Sequence, residues 1–102
     1  MDMCDRSGMA SSWGQLGDIE RNRGNWEEAE RLYCQSLQLR TELGDRYKIA
    51  EANYDFAQLW RKRGNPDKAQ EYYTTAHQLY QQLGATKDLE QIEREWNAFC
   101  LP

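Results

Sequence analysis

An all-α fold of about five helices, paired as antiparallel hairpins and stacked in a row, is predicted by three observations. Apolar side chains recur every three or four residues over most of the chain, which is the period of an amphipathic helix. Glycines interrupt this pattern at regular intervals, where a helix would end in a left-handed cap. When residues 10–49 are compared with the residues forty positions later, eleven are identical, where chance would give about two or three.

The composition limits the class of protein. A chain of 102 residues is long enough for one compact domain and too short for two. Its formal net charge is -4, and the 17 acidic and 13 basic side chains are mixed along the chain, which disfavours general affinity for nucleic acid or anionic membranes. No apolar run approaches the roughly 20 residues that cross a bilayer, and no signal segment opens the sequence. We therefore predict a soluble, cytoplasmic protein.

The three cysteines, Cys4, Cys34 and Cys100, lie far apart and outside any CxxC spacing. This distribution is typical of free thiols in a reducing compartment. A metal or redox site is disfavoured because no second ligand lies near any of them, and no cofactor is expected.

The first helix is predicted from Ala10 to Arg23, because apolar residues there fall on one helical face. Residues 1–9 have no such period, so we expect a disordered segment or a leader that is foreign to the domain. Gly17 lies within the apolar stripe, and a glycine at such a position indicates that a neighbouring helix approaches closely.

The second helix is predicted to begin after Asn25, as N-cap, and to end at Gly44. Glu28 lies three residues after the cap, which is the spacing of a capping box. These two helices form the first predicted repeat, residues 10–49, and the same pattern returns in residues 50–86.

A fifth helix is predicted from Lys87 to Phe99, within a C-terminal segment of residues 87–100. Its apolar residues form one narrow stripe, and its other side is polar. One dry face and one wet face suit a terminal helix that caps the stack.

Basic residues recur at two equivalent turns, at Arg21 and Arg23 and again at residues 61–63. A ridge of cations one repeat apart is a candidate contact for nucleic acid. However, cations at a helix C-terminus are stabilised by the helix dipole by about 0.3–1 kcal/mol each, which explains them without a ligand. Nucleic acid is therefore not the expected partner.

The residues at the repeated positions resemble the tetratricopeptide repeat, which combines an aromatic residue, Leu-Gly, a small-residue turn, alanine and a second aromatic. The first copy has these matches: Trp13, Leu16-Gly17, Gly24-Asn25, Ala29 and Tyr33. The second copy has Phe56-Ala57, Trp60, Gly64-Asn65-Pro66, Ala69 and Tyr73. Glu20 departs from the pattern, because the family usually has an aromatic there. The repeat of 40 residues is similar to a longer variant of the family, and the resemblance implies a right-handed solenoid that binds other proteins.

In the proteins that this chain resembles, the first helices of successive hairpins line a concave groove for a peptide or partner protein. The resemblance places these residues in the groove: Asp18, Arg21, Asn22, Glu51, Tyr54, Asp55, Gln58, Lys62, Gln91 and Arg94. Tyr54 would be an aromatic anchor or, alternatively, an ordinary half-exposed tyrosine. Chaperone-binding members hold a C-terminal carboxylate with lysine and asparagine, whereas Asp18 and Asp55 would repel one. A basic, polar or aromatic segment is therefore expected rather than an acidic chaperone tail.

The outer side of the first hairpin is predicted to carry Trp13, Leu16 and Trp26, with no earlier helix to cover them. An alternative function is homodimerisation, either through this end or by exchange of a hairpin across the connection of residues 43–47. A monomer whose leader folds over the end is the competing interpretation.

Residues suited to catalysis are sparse. The only histidine, His77, has no acidic partner at helical spacing, and the pair Glu27 and Glu28 lies where the helix dipole favours acids. No Gly-rich phosphate loop is present. We therefore predict a protein that is not an enzyme and that presents a groove to a peptide or partner protein.

Overall fold

Five helices make up the part of the chain that the computed structural model describes, which is the backbone of residues 6–100 and the side chains of residues 8–98. They are α1 (Arg6–Asn22), α2 (Trp26–Leu43), α3 (Arg46–Lys62), α4 (Pro66–Leu83) and α5 (Thr86–Cys100). α1 pairs with α2 and α3 with α4 as antiparallel hairpins, α2 packs against α3, and α5 lies against α4. The predicted all-α fold of stacked hairpins is confirmed.

The ends of two helices differ from the sequence-based expectation. α1 begins at Arg6, so residues 6–9 are helical although the expected leader extended to Met9. The rest of that leader, residues 1–5, lies outside the described residues. Thr86 is the first residue of α5 and lies one position before the predicted start at Lys87.

Glycine ends each of the first four helices in the predicted left-handed conformation. Gly24, Gly44, Gly64 and Gly84 have φ values of 84°, 71°, 90° and 70°. The next amide donates a hydrogen bond back to the carbonyl five residues earlier, as from Asn65 N to Trp60 O at 2.9 Å. This is the Schellman arrangement, which requires positive φ at the glycine and satisfies carbonyls that the helix leaves open.

The N-cap side chains of α2, α3 and α4 do not all bond to the first turn of their helix. The side chains of Asp45 and Asn65 each accept a hydrogen bond from the backbone amide three residues later, at 3.1 Å. Asn25 makes no such bond, because its amide donates to Glu20 instead. The predicted capping box at Asn25 is therefore wrong, and Glu28 pairs with Arg31.

The first hairpin closes tightly where Gly17 of α1 faces Tyr33 of α2. A β-carbon at Gly17 would lie 2.6 Å from Cε1 of Tyr33, well inside van der Waals contact. Tyr33 is 1% exposed, and its ring meets the ring of Phe56 edge-on at 5.5 Å between centroids. Gly17 is thus the packing residue that its position in the apolar stripe predicts, and Tyr33 connects both hairpins.

Two clusters of buried side chains form the core. One joins α2 to α3 through Ala29, Tyr33, Phe56 and Leu59. The other fills the second hairpin and the side of α5 that faces it, with these members: Ala50, Tyr54, Ala57, Ala69, Ala76, Tyr80, Ile92 and Trp96. Trp60 packs against both clusters, so the two hairpins share one continuous core.

α5 is held by its apolar stripe and by polar contacts around it. Ile92 and Trp96 are 4% and 5% exposed, and the Trp96 ring stacks on Tyr73 with 4.5 Å between centroids. His77 of α4 lies beside Glu93, with 2.7 Å between Nε2 and Oε2. His77 thus has an acidic partner that no helical spacing could reveal, and its position is structural.

We predict that Gly17→Ala destabilises the protein by up to about 2 kcal/mol, as measured by urea unfolding. The added methyl group overlaps the Tyr33 ring, and overpacking of this kind costs about 1–3 kcal/mol, while the gain in helix propensity returns about 1 kcal/mol. Gly14→Ala is the matched control. There the β-carbon would lie 3.5 Å from Arg40 Nη2, an ordinary contact, so stability should hold or rise by up to about 1 kcal/mol. Equal changes in the free energy of unfolding for Gly17→Ala and Gly14→Ala would contradict the close approach of Gly17 to Tyr33.

Candidate functional site

α1, α3 and α5 line a cavity of about 380 Å³. α1 contributes polar and small side chains, α3 crosses the middle, and α5 forms the far wall, while Arg40 of α2 and Tyr80 of α4 also reach the lining. Arg40 and Tyr80 are forty positions apart, so they are equivalent residues of the two hairpins. We call this the acidic cavity, lined by Ser11, Gly14, Gln15, Asp18, Arg40, Lys48, Glu51, Tyr54, Asp55, Gln58, Tyr80, Asp88, Gln91, Ile92 and Glu95.

A second cavity of about 390 Å³ lies beyond it, towards the C-terminal ends of α1 and α3. We call it the cationic cavity, and its lining consists of Arg21, Tyr54, Gln58, Arg61, Lys62 and Trp96. Tyr54 and Gln58 line both cavities, so the two form one continuous groove along α3.

Most of the residues that the sequence places in a groove line one of these cavities. Asp18, Glu51, Tyr54, Asp55, Gln58 and Gln91 line the acidic cavity, and Arg21 and Lys62 line the cationic cavity. Asn22 and Arg94 are exposed and line neither. Their roles as ligand contacts stay predictions.

Tyr33 of α2 bonds to two side chains of α1 that line the groove. Its hydroxyl donates to the Asp18 carboxylate and accepts a hydrogen bond from Arg21 Nη1 at 3.1 Å. Arg21 Nη1 also lies 3.4 Å from Asp18 Oδ1. Burial raises the pKa of the Tyr33 hydroxyl, and the carboxylates of Asp55 and Asp18 raise it further. Tyr33 therefore stays protonated and holds Asp18 and Arg21 in place.

Tyr54, at the centre of the groove, is only 9% exposed. Its ring lies against Tyr73 and Trp96, and its hydroxyl donates to Glu95 Oε1 at 2.9 Å. Burial raises its pKa to about 12, a shift that the bond to Glu95 supports. Tyr54 is thus more buried than a half-exposed tyrosine.

Arg40 is a groove residue that sequence reasoning missed. Although Arg40 lies in the last turn of α2, it is 6% exposed and lines the acidic cavity. Its Nη1 donates to the Lys48 carbonyl at 3.2 Å, while its Nε is buried without a hydrogen-bond partner. The available signal is its position one turn after Ser36, on the buried face of α2.

Asp55 stands at the middle of the acidic cavity among charged groups from three helices. Burial and the Asp18 carboxylate raise the pKa of Asp55 to about 8, against the opposing effect of Arg21 and Arg40. Its carboxyl group therefore holds a proton more strongly than a solvated aspartate does.

A tetratricopeptide repeat family model matches residues 8–84 of the chain, about three quarters of its length. The chain belongs to the tetratricopeptide repeat family. Comparison with curated proteins gives no match, and neither does comparison with solved structures.

The groove of this tetratricopeptide repeat has a charge gradient along α3. Five carboxylates line the acidic cavity, those of Asp18, Glu51, Asp55, Asp88 and Glu95, against the two cations Arg40 and Lys48. Lys48 is paired with Glu51, with 3.3 Å between Nζ and Oε1. In contrast, the cationic cavity is lined by three cations and no carboxylate.

The residues predicted to mediate self-association separate into two places. Trp13 lines a shallow cavity with Met9 and residues of α2, near Leu16, which is 47% exposed. Trp26 lines another cavity with Arg63 and is partly buried against the core. The outer face of α1 in this tetratricopeptide repeat consists instead of Met9, Trp13, Leu16 and Ile19, and Ile19 is 50% exposed.

Neither a metal site nor a membrane span occurs within the part of the chain that the structure describes. No group of three His, Cys, Asp or Glu side chains there is placed to hold a metal ion. No described helix is both long enough and apolar enough to span a bilayer. Cys34 is a free, exposed thiol, and the side chains of the other two cysteines lie outside the described set.

We predict that Asp55→Asn becomes increasingly stabilising, relative to the parent, as the pH rises from about 4 to about 8. The folded parent holds the Asp55 proton over this range and the unfolded chain releases it near pH 4, so the parent loses up to about 1.4 kcal/mol per pH unit. Above pH 8 the difference should level off. Urea unfolding at a series of pH values measures it.

Asp67→Asn is the control for this measurement, because Asp67 is exposed in the first turn of α4. Its stability difference from the parent should vary little between pH 5 and pH 9. If the stability differences of Asp55→Asn and Asp67→Asn varied with pH in the same way, Asp55 would be ionised in the folded protein throughout this range.

Proposed function

We propose that this domain is a protein interaction module whose groove binds a segment of a partner protein. The observation that carries the proposal is the continuity of the two cavities along α3, with walls from α1 and α5. Their combined length suits an extended chain, because α3 has 17 residues and a helix rises about 1.5 Å per residue. Binding, rather than catalysis, is the function that this surface supports.

The charge of the acidic cavity supports a choice among partner segments. A C-terminal carboxylate placed there would face the carboxylates of Asp18, Glu51, Asp88 and Glu95, and like charges at close range oppose binding. A segment with basic, polar or aromatic side chains meets no such penalty. We therefore infer that the domain does not bind an acidic chaperone tail through this cavity.

We also infer that the repeat is the longer variant of the family and that the protein is cytoplasmic. The left-handed glycines recur at the same interval from Gly24 to Gly84, so both hairpins have the same length. The free thiol of Cys34 is compatible with a reducing compartment.

A groove-blocking variant tests the main proposal. Peptides selected from a random display library against the folded domain should shift backbone amide NMR signals of α1, α3 and α5 more than those of α2 and α4. Gln58→Trp places a large side chain where the two cavities meet and should weaken binding at least about tenfold, because it excludes the segment sterically.

Gln78→Trp is the matched control, since Gln78 is exposed on α4 and lines neither cavity. Its affinity for the selected peptides should equal that of the parent. Peptides that bind both variants equally, or that shift signals elsewhere, would refute a groove site.

A second candidate function is self-association through the outer face of α1. Met9, Leu16 and Ile19 are 46%, 47% and 50% exposed, and Trp13 is partly buried beside them. An apolar stripe of this kind on a helix surface is typical of an interface. Two copies could cover it by packing α1 against α1 across a two-fold axis.

For this second candidate we expect a monomer–dimer equilibrium in sedimentation velocity over a concentration series of about 1–500 µM. Leu16→Glu should shift the equilibrium to the monomer, because a dimer would bury the new carboxylate without a partner. Leu83→Glu is the control, since Leu83 is 39% exposed at the other end of the domain. A constant monomer mass for the parent would exclude the dimer.

A further inference from the structure

The two halves of the groove present opposite charges to a ligand that lies along α3. Asp55 and Glu51 face it in the acidic cavity, and Arg61 and Lys62 face it in the cationic cavity. A uniformly charged segment would be attracted in one half and repelled in the other. The groove therefore favours a segment whose own charges change sign along its length.

Arg40 is an independent indication of a ligand in the acidic cavity. Its side chain lines the cavity while 6% exposed, and its Nε is buried without a hydrogen-bond partner. A β-carbon at Gly14 would lie 3.5 Å from Arg40 Nη2, so the Arg40 guanidinium lies directly beside the backbone of Gly14 in the cavity lining. A buried guanidinium group costs free energy where its hydrogen bonds are incomplete. The part of the Arg40 guanidinium that lines the cavity can donate to a backbone carbonyl of a bound segment.

The cationic cavity offers a surface for the other half of such a segment. The Arg61 guanidinium carbon lies 3.4 Å above the Trp96 ring centroid, and Arg61 Nη2 donates to the Trp96 carbonyl at 3.2 Å. These contacts hold the guanidinium in one orientation. Lys62 is exposed at the same end of α3. A carboxylate on the ligand would meet these cations close to an apolar wall formed by Trp96 and Tyr54.

The spacing along α3 sets the separation of the two charges on the ligand. Asp55 and Lys62 are seven residues apart on one helix, which corresponds to about 10 Å along its axis. An extended chain covers about 3.3 Å per residue, so this distance equals about three residues of the ligand.

We propose that the groove binds an extended protein segment in which a lysine or arginine enters the acidic cavity and an aspartate or glutamate about three residues away enters the cationic cavity. Arg40 donates to a backbone carbonyl of the same segment. This inference rests on the proposed function of the groove and specifies the chemistry of its ligand. A nucleic acid does not fit, because its phosphates would face the carboxylates of the acidic cavity.

Synthetic peptides test the charge pattern directly. The test peptides have nine residues, a fluorescein label, and one Lys and one Glu three positions apart in an otherwise neutral sequence. Both chain orders, Lys before Glu and Glu before Lys, are made. For each order, two control peptides replace either Lys by Gln or Glu by Gln. In fluorescence anisotropy at pH 9, where the Asp55 carboxyl is ionised, and 50 mM salt, at least one of the two chain orders should bind about tenfold or more tightly than both of its control peptides, since each charge-assisted contact contributes about that factor. Affinity should decrease at 300 mM salt.

Protein variants assign each charge to its cavity. At pH 9, where the Asp55 carboxyl of the free protein is ionised, Asp55→Asn should weaken binding of the Lys–Glu peptide and leave binding of the Lys→Gln peptide unchanged. Lys62→Gln should weaken binding of the Lys–Glu peptide and leave binding of the Glu→Gln peptide unchanged. Arg40→Lys should weaken binding of every one of these peptides, because it removes guanidinium nitrogens that donate to the peptide backbone. Asp67→Asn and Lys87→Gln, at exposed positions outside the groove, should change nothing.

The outcomes separate this inference from the function on which it rests. If library-selected peptides bind in the groove but carry no such pair of charges, or bind the Asp55 and Lys62 variants as well as the parent, the charge pattern is refuted and the groove function stands. If no peptide perturbs α1, α3 and α5, both are refuted. If oligonucleotides bound tightly and competed with the peptide, nucleic acid rather than a protein segment would be the ligand of the groove.

Discussion

The contact between Gly17 and Tyr33 is the constraint on which the rest of the domain depends. The glycine lets α1 approach the tyrosine ring so closely that no side chain fits between them, and the ring then reaches Phe56 of the second hairpin. The hydroxyl of the same tyrosine bonds to Asp18 and Arg21 on the groove side. One buried side chain thus sets the hairpin distance, joins the hairpins and positions one wall of the groove.

Differences between the two hairpins shape the groove more than their similarities do. Gly14 is equivalent to Tyr54, so α1 has no side chain at the position where α3 contributes an aromatic ring to the lining. Arg40 is equivalent to Tyr80, which places a buried cation under one side of the acidic cavity and a phenol under the other. The repeat therefore supplies a regular frame, while substitutions at a few inward positions give the groove its asymmetry.

The charges of the groove also show a balance between stability and binding. Carboxylates from α1, α3 and α5 line the cavity that contains Asp55, and the pKa of Asp55 is raised by burial and by the Asp18 carboxylate. Such crowding opposes folding, because like charges repel and a buried carboxylate loses its hydration. A ligand with a cation would relieve that repulsion. Surfaces that bind are often locally unfavourable in the free protein for this reason.

The sequence by itself determined the helices, their glycine ends and the register of the two repeats, because these depend on local spacing and backbone conformation. The resemblance to the family, carried onto the matching positions, led to Asp18, Tyr54 and Gln58 as groove residues, and all three line the acidic cavity. Only the tertiary structure decided that Arg40 enters the groove, that His77 meets Glu93, and that Asn25 bonds to Glu20 instead of capping α2. These outcomes depend on contacts between separate helices or on competition among nearby polar groups, which a helical period does not encode.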